Sequence, residues 1–165
     1  MSNPLIGFLL GSKNDLPQLE RAEDFLKKND VPYEVRILSA HRTPHQAAEY
    51  AHSAPERGIK VLCGMAGMAA HLAGALAAHS HLPVLGIPAA GGALNGFDAL
   101  LSTAQMPGGV PVATFAVGKA GALNAAIFAC QIIGQSDERV AEVVKNFRKE
   151  QSEAVLKADA EVQNR

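Results

Sequence analysis

Five short apolar runs recur along the chain, at residues 5–10, 33–38, 60–65, 83–87 and 111–117, and a stretch with helical spacing follows each of them. Runs this brief and continuous suit strands buried on both faces. The intervening segments predict helices over residues 16–29, 44–56, 69–78 and 97–104, with two more over 120–133 and 137–156. Strands that alternate with helices form βαβ units and a parallel sheet. Right-handed crossovers then cover both faces of that sheet, which predicts an α/β fold, a three-layer α/β/α flavodoxin-like domain with five parallel strands and a long C-terminal helix. A chain of 165 residues has the length for one such domain, with a core over about residues 4–134 and a short polar tail. In this topology ligands bind beyond the carboxyl ends of the strands, at the switch point between the first and third. Three loops should therefore meet at one edge: residues 11–15, 39–42 and 64–71.

The local signals at those loops are specific. Asp15 stands where the first helix would take its N-cap, and Thr43-Pro44-His45-Gln46 combines a capping threonine, a proline at N1 and a glutamine at N3. Ser136 is placed to cap the last helix, whose Val140, Val143, Val144, Phe147 and Val155 form an apolar stripe. The helix over 120–133 carries no charge and is expected to be buried.

Charge excludes some functions and raises another question. The net charge of −1 offers no basic patch for nucleic acid. Cys63 and Cys130 lie in apolar surroundings and read as buried thiols, with neither zinc-ligand nor disulfide spacing. No signal-peptide pattern and no membrane-length apolar run is evident, so a cytoplasmic protein is expected. Between Lys60 and Lys119 the only charged side chain is Asp98. Charged residues are the usual covering of a small domain, so a middle this bare predicts apolar interfaces with further copies of the chain.

The three loops bring together few reactive groups. His41 can exchange a proton near neutral pH, and the adjacent Arg42 offers a charged fork suited to phosphate. The first loop presents backbone N–H groups and the Ser12 hydroxyl at a helix start, which favours an anion. It lacks the Gly-x-x-x-x-Gly-Lys pattern of a P-loop, and no Gly-x-Gly-x-x-Gly is present. Asp15 has two readings, helix cap or partner of ribose hydroxyls. His71 reads either as a ligand-side donor or as a structural histidine. His45 and His52 read as a solvated helix face in preference to a metal site, and His79 and His81 as loop residues. Lys119, before a glycine-containing helix start, has two readings, a partner for an anion or a solvated lysine. Asp98 reads as a helix cap or an interface charge. No carboxylate pair, Gly-x-Ser-x-Gly elbow or metal-ligand spacing stands out. What remains is a phosphate-and-sugar pocket with one histidine at its mouth, suited to proton transfer on a small phosphorylated ligand.

Five ordered segments carry a resemblance. Gly-Ser-Lys-Asn-Asp at 11–15, Ser-Ala-His-Arg-Thr-Pro at 39–44, Ala-Ala-His-Leu at 69–72, Leu-Pro-Val-Leu-Gly-Ile-Pro at 82–88 and Gln-Met-Pro-Gly-Gly-Val-Pro-Val-Ala-Thr at 105–114 resemble the N5-carboxyaminoimidazole ribonucleotide mutase family of purine biosynthesis. The resemblance implies a homo-octamer with active sites shared between neighbours. It implies a carboxyl group moved from the exocyclic nitrogen to carbon 4 of an aminoimidazole ribonucleotide, without cofactor or metal. Carbon dioxide is then a trapped intermediate and His41 the proton shuttle. Ser12, Asp15 and Arg42 would bind the substrate, Asp15 at the ribose and Arg42 at the phosphate, with Asn14, Ser39 and Ala40 beside them. Small residues at Gly64, Ala66, Gly67 and Ala70 would leave room for carbon dioxide, and His71 would shape that pocket.

The chain departs from the family pattern at Asn14, Leu16, Met65, Met68 and Ala73, and the two methionines would narrow the pocket. Direct carboxylation of aminoimidazole ribonucleotide on the same fold is the nearest alternative. A non-catalytic nucleotide-binding module is another.

Overall fold

A computed structural model describes residues 3–165. Two compact units are present, one running to Ala129 and one of Cys130–Arg165. In the first, five strands pair in the order β2-β1-β3-β4-β5: β1 Ile6–Leu10, β2 Tyr33–Ile37, β3 Val61–Ala66, β4 Val84–Pro88 and β5 Ala113–Thr114. Every neighbouring pair is parallel. The connecting helices are α1 Leu16–Lys28, α2 Pro44–Ser53, α3 Leu72–His79 and α4 Phe97–Ala104, followed by α5 Lys119–Ile133. The three-layer flavodoxin-like arrangement is the one the apolar rhythm predicts.

The central strands are apolar on both faces because both are covered; every residue of β1 and β4 is buried. On one side Leu9 and Leu62 pack with Ala47, Tyr50 and Ala51 of α2 and Leu72, Ala73 and Leu76 of α3. Gly64 permits the close approach of α3 to β3. A Cβ there would stand 2.9 Å from Ala73 Cα and 3.0 Å from Ala73 N. The Tyr50 hydroxyl donates to Glu34 at 2.6 Å, and Arg57 pairs with the same carboxylate while lying over the Tyr50 ring at 4.2 Å. Burial, then the Glu34 hydrogen bond, push the Tyr50 hydroxyl well above its ordinary pKa.

Several boundaries differ from the sequence reading. The fifth strand keeps only two residues. Pro111 at its start has no N–H for a ladder; the paired residues are Leu85–Ala113 and Gly86–Thr114, and Phe115 N–H still donates to Gly86 O at 2.9 Å. The third helix starts at Leu72 instead of residue 69, because the chain first makes a tight turn. Ala70 and His71 donate their N–H groups to Met68 and Ala69 at 2.9 Å. Helix α5 is not wholly buried; Asn124 and Phe128 are exposed while Ala122, Ala125 and Ala126 are covered.

In the second unit α6 spans Glu138–Gln163, past the expected end at residue 156. Its last turns, rich in Ala, Glu and Gln, are good helix formers. Asp137 is the N-cap, not Ser136: its carboxylate accepts from Val140 N–H at 3.2 Å, and the Ser136 hydroxyl donates to the Ile133 carbonyl instead. Val140, Val143 and Val144 are buried, but Val155 is exposed. Both cysteines are buried thiols outside any disulfide. Burial pushes the Cys130 thiol up to about 12, with Arg139 drawing it slightly back.

Candidate active site

Strands β1, β2 and β3 end at one level, with Leu10 in register with both Ile37 and Met65. The ladder continues one step into the loops: Gly11 N–H donates to Met65 O at 2.9 Å and Leu38 N–H to Leu10 O at 3.0 Å. The three loops therefore leave the sheet side by side.

In the first loop the extended Ser12 accepts from Asn14 N–H at 3.2 Å and starts a single 3₁₀ turn, Lys13–Asp15, that leads into α1. Asp15 occupies the N-cap position of α1, yet its side chain makes no capping bond. It is nearly enclosed, at 9% exposure. Burial pushes its carboxyl above the ordinary range, while a hydrogen bond with the Ser12 backbone and the charge of Arg42 partly offset this.

The second loop is tied by two hydroxyls. Ser39 Oγ accepts from His41 N–H at 3.3 Å and Arg42 N–H at 3.2 Å. Thr43 does not cap α2 with its side chain. Its hydroxyl accepts from Ser39 N–H at 2.8 Å and donates to Ser39 O at 3.1 Å, so the loop closes on itself. That closure presents His41 and Arg42 outward as a pair. Arg42 Nη2 reaches across to donate to Gly11 O at 2.6 Å, joining the second loop to the first.

In the third loop Met68 adopts φ of +53°, and His71 takes the N-cap position of α3. His41 Nε2 lies 2.8 Å from His71 Nδ1, with the rings at 88° and their centroids 4.9 Å apart.

A cavity of about 520 Å³ opens among these groups. Ser12, Asn14, Asp15, Ser39, Ala40, His41, Arg42, Gly67 and His71 all line it, as does Ala66. Ala70 does not; it is buried, and Met68 and Ala69 stand at the wall in its place. Gly64 lies beneath α3, away from the cavity. Two parts of the wall escape sequence reasoning: Gln18, one helical turn beyond Asp15, and the turn at residues 90–92. The adjacent glycines at 91 and 92 were the available signal for that turn.

The other singled-out residues lie elsewhere. His45, His52, His79 and His81 are exposed and outside the cavity. Asp98 Oδ1 accepts from Ala99 N–H in the first turn of α4 at 2.9 Å. Lys119 faces Glu20 at 3.7 Å with both side chains largely solvated.

The site thus holds two touching imidazoles, a guanidinium with unused donors, and helix-start N–H groups around a small cavity. It can bind an anion at one side and move a proton at the other. Among the described residues no cluster of three His, Cys, Asp or Glu could hold a metal ion, and no helix is long and apolar enough to cross a membrane.

Comparison with known proteins places this arrangement. Residues 5–154 match the AIR carboxylase family. The N5-carboxyaminoimidazole ribonucleotide mutase of Aliivibrio fischeri is 52% identical over 151 residues, covering 92% of this chain and 94% of its own. That of Bacillus subtilis is 50% identical over 155 residues, covering 94% and 96%. Among solved structures, Treponema denticola PurE superposes with a TM-score of 0.84 at 25% identity, over 96% of this chain and 98% of the other. With half of its residues shared with curated members over nearly its whole length, and with the fold of a solved relative, this chain belongs to the AIR carboxylase family.

Proposed function

We propose that His41 is the proton carrier of an N5-carboxyaminoimidazole ribonucleotide mutase. The chain converts N5-carboxyaminoimidazole ribonucleotide to 4-carboxy-5-aminoimidazole ribonucleotide in purine biosynthesis, as an isomerase. The observation that carries the role of His41 is its position: the ring lies in the cavity wall in contact with His71, one residue from the guanidinium that reaches Gly11.

The chemistry balances within the site. Protonated His41 gives its proton to the exocyclic nitrogen as the nitrogen–carboxyl bond breaks, releasing carbon dioxide. The electron-rich carbon 4 of the ring then attacks carbon dioxide, and its proton leaves to His41. The histidine ends as it began, with no net proton, electron or co-reactant consumed. Holding carbon dioxide beside the ring supplies the proximity that a free encounter lacks.

Arg42 takes the phosphate, with Ser12 and the N–H groups of the following turn; Asp15 takes the ribose. Asn14, Ser39, Ala40 and Gly67 complete the substrate's surroundings, and His71 shapes the carbon dioxide pocket. The bare middle of the sequence and the exposed Leu94, Phe97, Leu101 and Phe128 support assembly into a homo-oligomer, which we take as an octamer. We place the chain in the cytoplasm, since its charged, phosphorylated substrate stays on the side of the membrane where it is made.

His41→Asn tests the reading. It should lower kcat by about 10²–10⁴ while binding of the product nucleotide is largely kept; an undiminished kcat overturns it. Turnover of free aminoimidazole ribonucleotide only at high carbon dioxide separates the mutase from direct carboxylation.

A further inference from the structure

The cavity is lined by His41 and His71 and also by the turn at residues 90–92, which follows β4. The turn lies on the surface. Residues 90–95 are exposed, and Gly91 and Gly92 adopt φ of +135° and +70°, conformations that favour glycine. A Cβ on Gly91 would meet nothing within 4 Å, so no packing restrains the turn from that side.

One side chain does restrain it. Gln18 of α1, distant in sequence, closes on Ala90 with both ends of its amide. Its Nε2 donates to Ala90 O at 3.0 Å, and its Oε1 accepts from Ala90 N–H at 2.7 Å. A neighbouring strand would make the same two bonds, but β4 has already ended at Pro88. Gly118 leaves space over the pair: a Cβ there would stand 3.3 Å from Ala90 Cβ and 3.4 Å from Gln18 Oε1. The helix that bears Gln18 begins beside Asp15, so one element carries both the ribose-side carboxylate and the hold on the 90–92 turn.

We infer that Gln18 is a positioning residue for the carboxyl transfer: its two-point grip on Ala90 fixes the 90–92 turn where it lines the cavity. The inference rests on the mutase reading. Carbon dioxide is small and uncharged, so no strong contact retains it, and only the walls keep it near the ring. Recapture by carbon 4 therefore competes with escape. Loosening the 90–92 wall changes that competition, while the nucleotide stays held by residues 12–15 and Arg42.

The full-length enzyme with Gln18→Ala or Gln18→Glu tests this by three readouts. These are hydrogen exchange at the Ala90 amide, affinity for the product nucleotide, and the fraction of turnovers ending as aminoimidazole ribonucleotide, corrected for spontaneous decarboxylation. In Gln18→Ala, exchange at Ala90 should quicken about tenfold while Ile87 in β4 is unchanged. Nucleotide affinity should stay within about twofold, and the fraction lost as aminoimidazole ribonucleotide should rise. Gln18→Glu keeps the acceptor and loses the donor, so it should fall between Gln18→Ala and the unaltered enzyme. Unchanged exchange at Ala90 overturns the grip, and faster exchange with unchanged partition overturns its role in the reaction. Failure of the mutase reading is seen in His41→Asn instead, so the two failures are read on different variants.

Discussion

His41 Nε2 and His71 Nδ1 meet at 2.8 Å with their rings perpendicular. A contact this short holds one proton: one ring donates and the other accepts. His71 thereby restrains both the orientation and the tautomer of the ring proposed to carry the proton. His71→Phe should lower kcat about tenfold, the worth of one hydrogen bond to a reacting group. His71→Asn, which keeps a polar partner, should recover part of that loss. Steady-state kinetics with nucleotide affinity measured in parallel checks this, since a purely structural role would lower both together.

Arg42 spends one donor on Gly11 O and keeps others for a ligand. Arg42→Ala should weaken binding of the product nucleotide by about 1.5–3 kcal/mol, the range for a charge-assisted bond. Arg42→Lys should restore little, because an ammonium cannot span Gly11 and a phosphate with one planar fork. Calorimetric titration of the three proteins decides; equal affinities would remove Arg42 from the phosphate.

Asp15 gives a pH-dependent signature. Its carboxyl is raised by burial, so the folded state holds the proton at pH values where the unfolded chain has released it. Its contribution to stability is therefore greatest below the ordinary carboxylate pKa and declines as pH rises through the raised value. Asp15→Asn lacks that decline. It should melt above the unaltered protein at neutral pH, with the gap closing below about pH 4, and it should bind nucleotide more weakly. Thermal melts across pH, with binding measured at pH 7, test both halves.

Gly64 and Gly67 offer a paired test of what holds the third loop. A Cβ at Gly64 would press on the backbone of Ala73, which cannot rotate away, so Gly64→Ala should cost about 1–3 kcal/mol. His71 stands at the head of the displaced helix, so activity should fall with stability. A Cβ at Gly67 would meet Ala89 Cβ at 3.7 Å, an ordinary contact, and Gly67→Ala should change stability by no more than about 0.5 kcal/mol. Denaturant unfolding of both variants provides the measurement.

Much of this site is legible in the chain because strand ends are. Each apolar run stops where a small or polar residue follows, and topology alone carries Ser12, His41 and His71 to one edge. The place of Thr43 before Pro44 predicts a cap, but a hydroxyl has two uses there, and the bonds to Ser39 prevail. Pro111 accounts for the late start of β5, which an apolar pattern does not weigh, while nothing local in its sequence marks its end at Thr114. Gln18 carries no local mark, since a side-chain amide on a helix face looks solvated until Ala90 arrives from another loop. The end of α6 reads as a polar tail by its composition, yet backbone bonding there answers to helix propensity, which Ala and Glu supply.

The cavity is lined from Gly11 to Gly92 and by nothing later in the chain. Within one chain its wall is finished a little past the midpoint, at the second glycine of one turn. Later segments of the same chain meet that wall through its backing, and the seam where Gly118 covers Ala90 is one such place. A substitution there shifts a wall residue without replacing one.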